Sequence, residues 1–258
     1  MSTALFHHAG NFRPVTDELT TFDLPITGQL PAELHGTFIR NGPNPIGAAT
    51  PHWFMGDGMV HGVRIEDGSA RWYRNRTVRT TRLAGAPPIR PDGSRDLTAG
   101  QANTNVIRHA NRILALEESS LPYELTAELD TVGPFDFDGA LTRPMTAHPK
   151  ICPRTGELHL IGYDFAPPYL TYHVADAHGR LIFSRDIDIP APVMMHDFCL
   201  TEHYVVFLDL PAVFDLDLAL HGTMPFRFEP HHGARLGLLR RDHPRSVVTW
   251  IDIEPCYV

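Results

Sequence analysis

Two histidines have the residue type and the spacing of metal ligands. His148 lies in the segment MTAHPK and His196 in MMHDF, where a strand would otherwise stay apolar. They are 48 residues apart, close to the roughly 40 to 50 residues of one β-propeller blade. Equivalent positions on neighbouring blades point at a common axis, and imidazole suits iron, zinc or copper. The pair therefore predicts one shared metal ion, although a lone histidine in a strand is more often a hydrogen-bonded core or surface residue.

The elements that must position these histidines are short strands. The chain has 20 glycines and 23 prolines along its whole length, and its apolar residues fall in short runs between turn formers. Turns such as those at 152–157 and 176–180 predict antiparallel hairpins. The thirteen predicted strands are 36–42, 59–65, 70–78, 104–109, 112–118, 145–151, 157–164, 169–176, 180–189, 194–201, 204–210, 235–241 and 246–253.

The number of strands limits the choice of fold. Short antiparallel strands at this spacing are typical of a sandwich, a barrel or a propeller. At four strands per blade, thirteen strands make about three blades, whereas a closed propeller needs roughly four to eight. Either the fold is not a propeller or the chain is only part of one.

The composition argues against several classes of protein. A net charge of -8 without a run of Lys or Arg is not typical of a nucleic-acid surface. No apolar run approaches the roughly 20 residues of a membrane helix, and the N-terminal residues lack the basic and apolar regions of a signal peptide. The three cysteines, Cys152, Cys199 and Cys256, include no C-x-x-C pair. We therefore expect a cytoplasmic protein with buried, reduced thiols.

Motifs of other enzyme classes are missing from the sequence. It contains no G-x-S-x-G, H-E-x-x-H, P-loop or G-x-G-x-x-G. No histidine is followed two residues on by Asp or Glu, an arrangement often used by iron sites with two histidines and one carboxylate. Any iron would have to be held by a different arrangement of ligands. His231 and His232, before Gly233, are interpreted as a solvated loop.

Six segments together resemble the carotenoid cleavage oxygenases. They are GTFIRNGPNP (36–45), HWFMGDGMVHGVRI (52–65), ANTNVI (102–107), LALEESSLPYEL (114–125), TAHPK (146–150) and MMHDF (194–198), in that order. The resemblance runs from about residue 12 to the last residue. It implies an all-β fold, a seven-bladed β-propeller, with Fe(II) on the axis held by four histidines and no carboxylate. It also implies O2-dependent cleavage of a carbon-carbon double bond of a carotenoid or apocarotenoid to two carbonyl products.

The resemblance assigns roles to four residues of this chain. His148 and His196 match the first and second iron ligands, and Glu118 matches a glutamate that accepts a hydrogen bond from a ligand histidine. Thr104 matches a threonine whose side chain crowds a vacant coordination position. The alternative for Glu118 is a solvated charge at a strand end, and for Thr104 a plain β-former.

The chain departs from the family pattern at its C-terminal side. The resemblance puts the third and fourth ligands beyond Val258, and His243, in the polar segment RRDHPR, has little weight as a substitute. Residues 1–258 are therefore expected to form a single, C-terminally truncated part of a propeller, about three blades. Two imidazoles hold Fe(II) weakly and unpaired edge strands remain, so the isolated chain is expected to fold poorly and to be inactive.

The substrate and the partners follow from the same resemblance. Stilbene-cleaving relatives commonly carry a lysine just before the glutamate that matches Glu118, whereas this chain has Glu117. This favours an apolar polyene, with O2 as co-substrate, over a lignin-type stilbene, which remains an alternative. Because such polyenes reside in membranes, peripheral membrane contact is expected, and no partner protein is evident. A second alternative is a non-catalytic propeller fragment that binds a lipid or a partner protein and needs no iron.

Overall fold

The computed structural model describes residues 5–22, 24–47 and 50–256, and these form two compact units. The first unit comprises Met1–Glu117 and Pro122–Phe135, and the second comprises Glu118–Leu121 and Asp136–Val258. Both are built of short antiparallel strands, as the sequence predicts. That residues 1–258 form a single domain stays a prediction.

The first unit contains two four-stranded antiparallel sheets, in the orders β1-β4-β3-β2 and β5-β6-β7-β8. A buried core that includes Val60, Val78, Tyr123 and Leu129 lies within this unit. Its strands are β1 Thr20–Phe22, β2 Gly36–Asn44, β3 Asp57–Glu66, β4 Ser69–Thr77, β5 Asn105–His109, β6 Arg112–Leu116, β7 Tyr123–Leu125 and β8 Thr131–Pro134, and short 3-10 helices occupy Phe6–His8, Gly10–Phe12 and Trp53–Met55.

The second unit contains two more four-stranded antiparallel sheets, in the orders β12-β11-β10-β9 and β13-β14-β17-β18, and a hairpin of β15 and β16. The hairpin and the helix α1 stand between β14 and β17 in the chain. The elements are β9 Lys150–Ile151, β10 Leu158–Tyr163, β11 Leu170–Ala175, β12 Leu181–Asp186, β13 Phe198–Leu200, β14 Tyr204–Asp209, β15 Ala212–Phe214, α1 Leu216–Leu220, β16 Phe226–Phe228, a 3-10 helix Pro230–His232, β17 Ala234–Arg240 and β18 Thr249–Ile253.

One hydrophobic core joins the two large sheets of the second unit. Tyr172 of β11, Phe198 of β13 and Phe207 of β14 are almost completely buried in it. Met195, which is 0% exposed and lies outside any strand, belongs to the same core. Burying a Met or Phe side chain contributes about 1.5 to 3 kcal/mol each, so this core fixes the backbone at Met195 and Phe198.

Each of the thirteen predicted strands has a counterpart, but the structure has further strands that the sequence did not indicate. These are β1, β7, β8, β15 and β16, each of three or four residues. β8 has the sequence TVGP, and its Gly and Pro are residues that do not predict a strand. With these strands the described residues form four four-stranded sheets, instead of the roughly three that the strand count predicted.

Gly162 in β10 permits a close approach of two chain segments in the second unit. A Cβ atom at this position would lie 2.2 Å from the carbonyl oxygen of Pro144. Close by, Thr146 N–H donates to the carbonyl of Ile161 over 2.7 Å. The absence of a side chain at Gly162 therefore lets the segment that leads to His148 lie directly on β10.

We expect Gly162→Ala to lower the free energy of unfolding by about 1 to 3 kcal/mol, because the new methyl group must displace backbone. Gly42→Ala is the control, since a Cβ there meets nothing within 4 Å, and it should change stability by less than about 0.5 kcal/mol. Urea titration of the full-length gene product measures both. Equal stability of the two variants would contradict this account of Gly162.

Candidate metal centre

Glu118, His148 and His196 meet in the second unit. Each offers one possible ligand atom, and the three atoms lie within 4.8 Å of one another. The two imidazole rings have centroids 4.5 Å apart and an interplanar angle of 66°. Among the residues that the structure describes, no other three His, Cys, Asp or Glu side chains converge in this way.

Both histidines precede the first strand of a four-stranded sheet. His148 lies two residues before β9, and His196 lies two residues before β13. The predicted strands 145–151 and 194–201 are therefore too long, because the histidines lie in the connections that lead into the sheets. Each histidine nonetheless lies two residues before the first strand of its sheet, so the two positions are equivalent, as the spacing of 48 residues suggested.

The segment before His148 is held by hydrogen bonds within the second unit. Met145 N–H donates to the carbonyl of Ser120 over 3.0 Å, and Thr146 N–H donates to Ile161 over 2.7 Å. The hydroxyl of Thr146, a residue that is 0% exposed, accepts the N–H of His148 over 3.1 Å. The backbone at His148 is thus fixed before any ligand binds.

Apolar anchors hold the backbone around His196. Met195 and Phe198 are buried in the core, and Met194 N–H donates to the carbonyl of Ala212 over 2.8 Å. The side chain of His196 remains 39% exposed. The apolar residues around the histidine therefore fix its position, while its ring stays accessible.

Glu118 uses both of its carboxylate oxygens. Oε1 contacts Nδ1 of His196, and Oε2 accepts a hydrogen bond from the hydroxyl of Tyr163. The Glu118 side chain is 13% exposed. A carboxylate removed from water is stable only with such donors, so these two contacts determine where the carboxylate lies.

The two imidazoles have opposite pKa shifts. Burial, followed by the nearby His196, lowers the pKa of His148 below its usual value. The Glu118 carboxylate, which accepts a hydrogen bond from the His196 ring, raises the pKa of His196, against the opposing effect of burial. Asp197 also raises the pKa of His196, and it pairs with Lys150, whose Nζ lies 2.7 Å from Asp197 Oδ1. His148 is therefore neutral at neutral pH, the form that binds metals.

The residues of the cluster fit a transition metal. The Nε2 atom of His148 is buried and has no hydrogen-bond partner. A buried polar atom without a partner costs about 1 to 3 kcal/mol, which a bond to a metal would offset. Nδ1 of His196 contacts Glu118, so its Nε2 is the atom left to act as a ligand. Imidazole suits iron, zinc and copper alike.

The other residues singled out in the sequence lie elsewhere. Thr104 belongs to the first unit, directly before β5, where its hydroxyl donates to Asn103 over 2.9 Å. Its role beside a metal stays a prediction. Glu117 also belongs to the first unit. His243 has a side chain 68% exposed beside Asp242 and is outside the cluster.

Two smaller predictions are wrong. His232 is not solvated, because its side chain is 7% exposed and its Nε2 lies 2.7 Å from Oδ1 of the buried Asp209. Only Cys152 is a buried thiol, since Cys199 and Cys256 are exposed. All three cysteines are free, as expected.

No sequence pattern predicts the contact of Tyr163 with Glu118 or the pair of Lys150 with Asp197. Tyr163 is 45 residues from Glu118 in the chain, and nothing in the segment IGYDF marks a polar contact at that distance. Lys150 and Asp197 lie within the two histidine motifs, but their pairing requires the histidine segments to converge first.

Fold and site together define an all-β protein of four-stranded antiparallel sheets with a His, His, Glu group that suits a transition metal. The structure of a lignostilbene dioxygenase from Pseudomonas brassicacearum is similar, with a TM-score of 0.83 and 32% identity over 96% of this chain and 56% of that chain. Cobalt-substituted apocarotenoid oxygenase from Synechocystis gives a TM-score of 0.78 and 26% identity over 95% of this chain and 58% of that chain. The predicted β-propeller fold is thereby confirmed.

The sequence comparisons agree with the structural ones. A carotenoid cleavage oxygenase of Mycobacterium tuberculosis is 42% identical over 96% of this chain and 59% of its own length. Carotenoid 9,10(9',10')-cleavage dioxygenase 1 of Arabidopsis thaliana is 38% identical over 100% of this chain and 54% of its own length. The model of the retinal pigment epithelial membrane protein family matches residues 12–258. The chain belongs to this family, which includes the carotenoid cleavage oxygenases, and it spans a little over half the length of these relatives.

We expect the metal-free protein to show a His196 pKa above 6.5 and a His148 pKa below it. Glu118→Gln should lower the pKa of His196, because it removes the carboxylate that stabilises the imidazolium while burial remains. NMR titration of protein labelled in its histidine rings measures both values.

Glu157→Gln is the matched control, since Glu157 acts on His159, whose pKa burial lowers to about 4 against the opposing charge of Glu157, and does not act on His196. A His196 pKa that is the same in wild-type protein and Glu118→Gln would contradict the proposed electrostatic contact.

Proposed function

We propose that this chain supplies part of the metal centre of an oxygenase that uses Fe(2+) and O2 to cleave a carbon-carbon double bond of a carotenoid or apocarotenoid. The observation that carries the proposal is the convergence of Glu118, His148 and His196, with a buried His148 Nε2 that has no partner. Family membership and relatives named as carotenoid cleavage enzymes support it. The cobalt-substituted structure of a similar protein supports a divalent metal.

In this proposal the two histidines bind the metal through Nε2, and Glu118 does not. Both oxygens of Glu118 already accept from other groups, His196 and Tyr163. Glu118 therefore selects the tautomer of His196 that carries its proton on Nδ1, and it fixes the plane of the ring. His148, whose pKa burial lowers, needs no acidic partner to stay neutral.

When bound, the iron would supply the oxygen chemistry that no side chain of the cluster can perform. The protein supplies position. Hydrogen bonds to Ser120 and Ile161 hold the segment before His148, and the buried Met195 and Phe198 hold His196. A metal bound by such fixed ligands stays in one place relative to a substrate double bond, which is the condition for an orientation effect on rate.

A phenolic stilbene is the second candidate substrate. The similarity to a lignostilbene dioxygenase, at 32% identity, favours it. Against it stands Glu117, at the position where stilbene-cleaving relatives commonly have a lysine. An acidic side chain would repel a phenolate, so we propose the polyene as the preferred substrate.

We also propose cytoplasmic location with peripheral membrane contact. No helix in the described part of the chain is long and apolar enough to cross a membrane. Four aromatic side chains on the first unit, Phe6, Phe12, Trp53 and Phe54, are exposed and contact one another. Aromatic residues of this kind favour the boundary between lipid and water, where a polyene would be collected.

The test is metal binding and cleavage by the full-length gene product, purified without a histidine tag. Fe(2+)-loaded protein should convert an apocarotenal to two carbonyl compounds in the presence of O2, and it should prefer this substrate to a hydroxylated stilbene. His148→Ala and His196→Ala should each lose at least about 100-fold in activity together with most of the bound iron.

His243→Ala is the control, because His243 is an exposed histidine outside the cluster. It should keep its iron and its activity. Iron content that is equally high in wild-type protein and both cluster variants would contradict the assigned ligands, and a preference for the stilbene would reverse the choice of substrate.

A further inference from the structure

We propose that Tyr163 is a positioning residue of the metal centre, which acts on His196 through Glu118. This inference rests on the proposed function. The observation behind it is the continuous chain of contacts from the Tyr163 hydroxyl to Glu118 Oε2, and from Glu118 Oε1 to Nδ1 of His196.

A carboxylate with a single partner does not hold an imidazole in one orientation. The terminal torsion of a glutamate is broad, so Glu118 could keep its contact with His196 while its plane rotates. A second donor at Oε2 removes that freedom. Because the Glu118 side chain is only 13% exposed, water is a poor substitute for the tyrosine hydroxyl.

Tyr163 is itself held rigidly. It is the last residue of β10, where its backbone pairs with Leu170 of β11, and its ring packs against the large core of the second unit. The next residue continues the pairing, since Asp164 N–H donates to the carbonyl of Tyr169 over 3.0 Å. The hydroxyl is therefore presented to Glu118 from a fixed strand end.

The same strand also positions the other histidine. Ile161, two residues before Tyr163, accepts the N–H of Thr146, whose hydroxyl in turn accepts the N–H of His148. One end of β10 thus sets His148 through the backbone and His196 through a side chain. Loss of the Tyr163 hydroxyl should release His196 and leave the backbone at His148 in place, so the effect of the substitution should be specific to His196.

The probe is Co(2+), whose visible absorption reports the geometry of its ligands. In the full-length gene product we expect Tyr163→Phe to raise the Kd for Co(2+) about 3- to 10-fold and to change the cobalt spectrum. Replacement of an outer partner of a ligand histidine typically costs about 10- to 100-fold, and Tyr163 is one contact further from the metal.

Tyr172→Phe is the matched control. Tyr172 lies in the adjacent strand β11 of the same sheet, and its buried hydroxyl also contacts a histidine, His159 Nδ1 over 2.6 Å. Each variant removes a tyrosine hydroxyl beside the same core, but only Tyr163→Phe removes a hydroxyl that contacts Glu118. Tyr172→Phe should leave the Kd and the cobalt spectrum unchanged.

A double-mutant cycle separates positioning from general stability. Glu118→Ala removes the link between Tyr163 and His196, so Tyr163→Phe should change the Kd less than about twofold in that background. An equal effect in both backgrounds would mean that Tyr163 acts by another route, and the inference would be wrong.

The outcomes also separate this inference from the proposed function. Wild-type protein that binds Co(2+), with unchanged affinity and spectrum in Tyr163→Phe, would overturn the role of Tyr163 and leave the metal centre standing. Wild-type protein that binds no Co(2+) would overturn the proposed metal centre, and the inference with it.

Discussion

Glu118 contacts the ring of His196 from a very short piece of chain. Residues 118–121 belong to the second unit, whereas the residues on both sides of them belong to the first. A charged carboxylate taken out of water needs donors, and Glu118 finds them in His196 and Tyr163. Ser120, in the same short piece, accepts the N–H of Met145. The orientation of the His196 ring and the position of the segment before His148 therefore depend on where these four residues are placed.

The placement of the histidines before strands, instead of within them, has a physical reason. A residue inside β10 or β11 has both backbone groups in ladder hydrogen bonds and a side chain committed to one face of the sheet. In the connections that lead into β9 and β13, side chains do not have to alternate between the two faces of a sheet. Buried neighbours can therefore hold the backbone there while the histidine ring points away from the core. Met195 and Phe198 do this for His196, and Thr146 does it for His148.

Sequence patterns predicted the short antiparallel strands and the convergence of His148 and His196, whereas the choice of a propeller came from the family resemblance. Runs such as ELHLIGYD predict β10 because buried strands are apolar and bounded by turns. Three-residue strands such as β15 carry no periodic signal, so they were missed. Contacts such as those of Tyr163 with Glu118 and of His232 with Asp209 join residues 45 and 23 positions apart, and only the folded backbone determines them. Family motifs identified Glu118 because the resemblance supplied its role, which composition and spacing do not.

The charge of the cluster bears on the chemistry that it could support. Two neutral imidazoles leave a divalent ion with its full charge, whereas a directly bound carboxylate would reduce that charge and occupy a position. Glu118 instead contacts the Nδ1 side of His196, so its negative charge would reach a bound metal through the imidazole ring. This arrangement would make His196 a more basic ligand without using a coordination position. Since the opposite pKa shifts of His148 and His196 arise from burial and from Glu118 respectively, the two ligands of the proposed centre are electronically unequal.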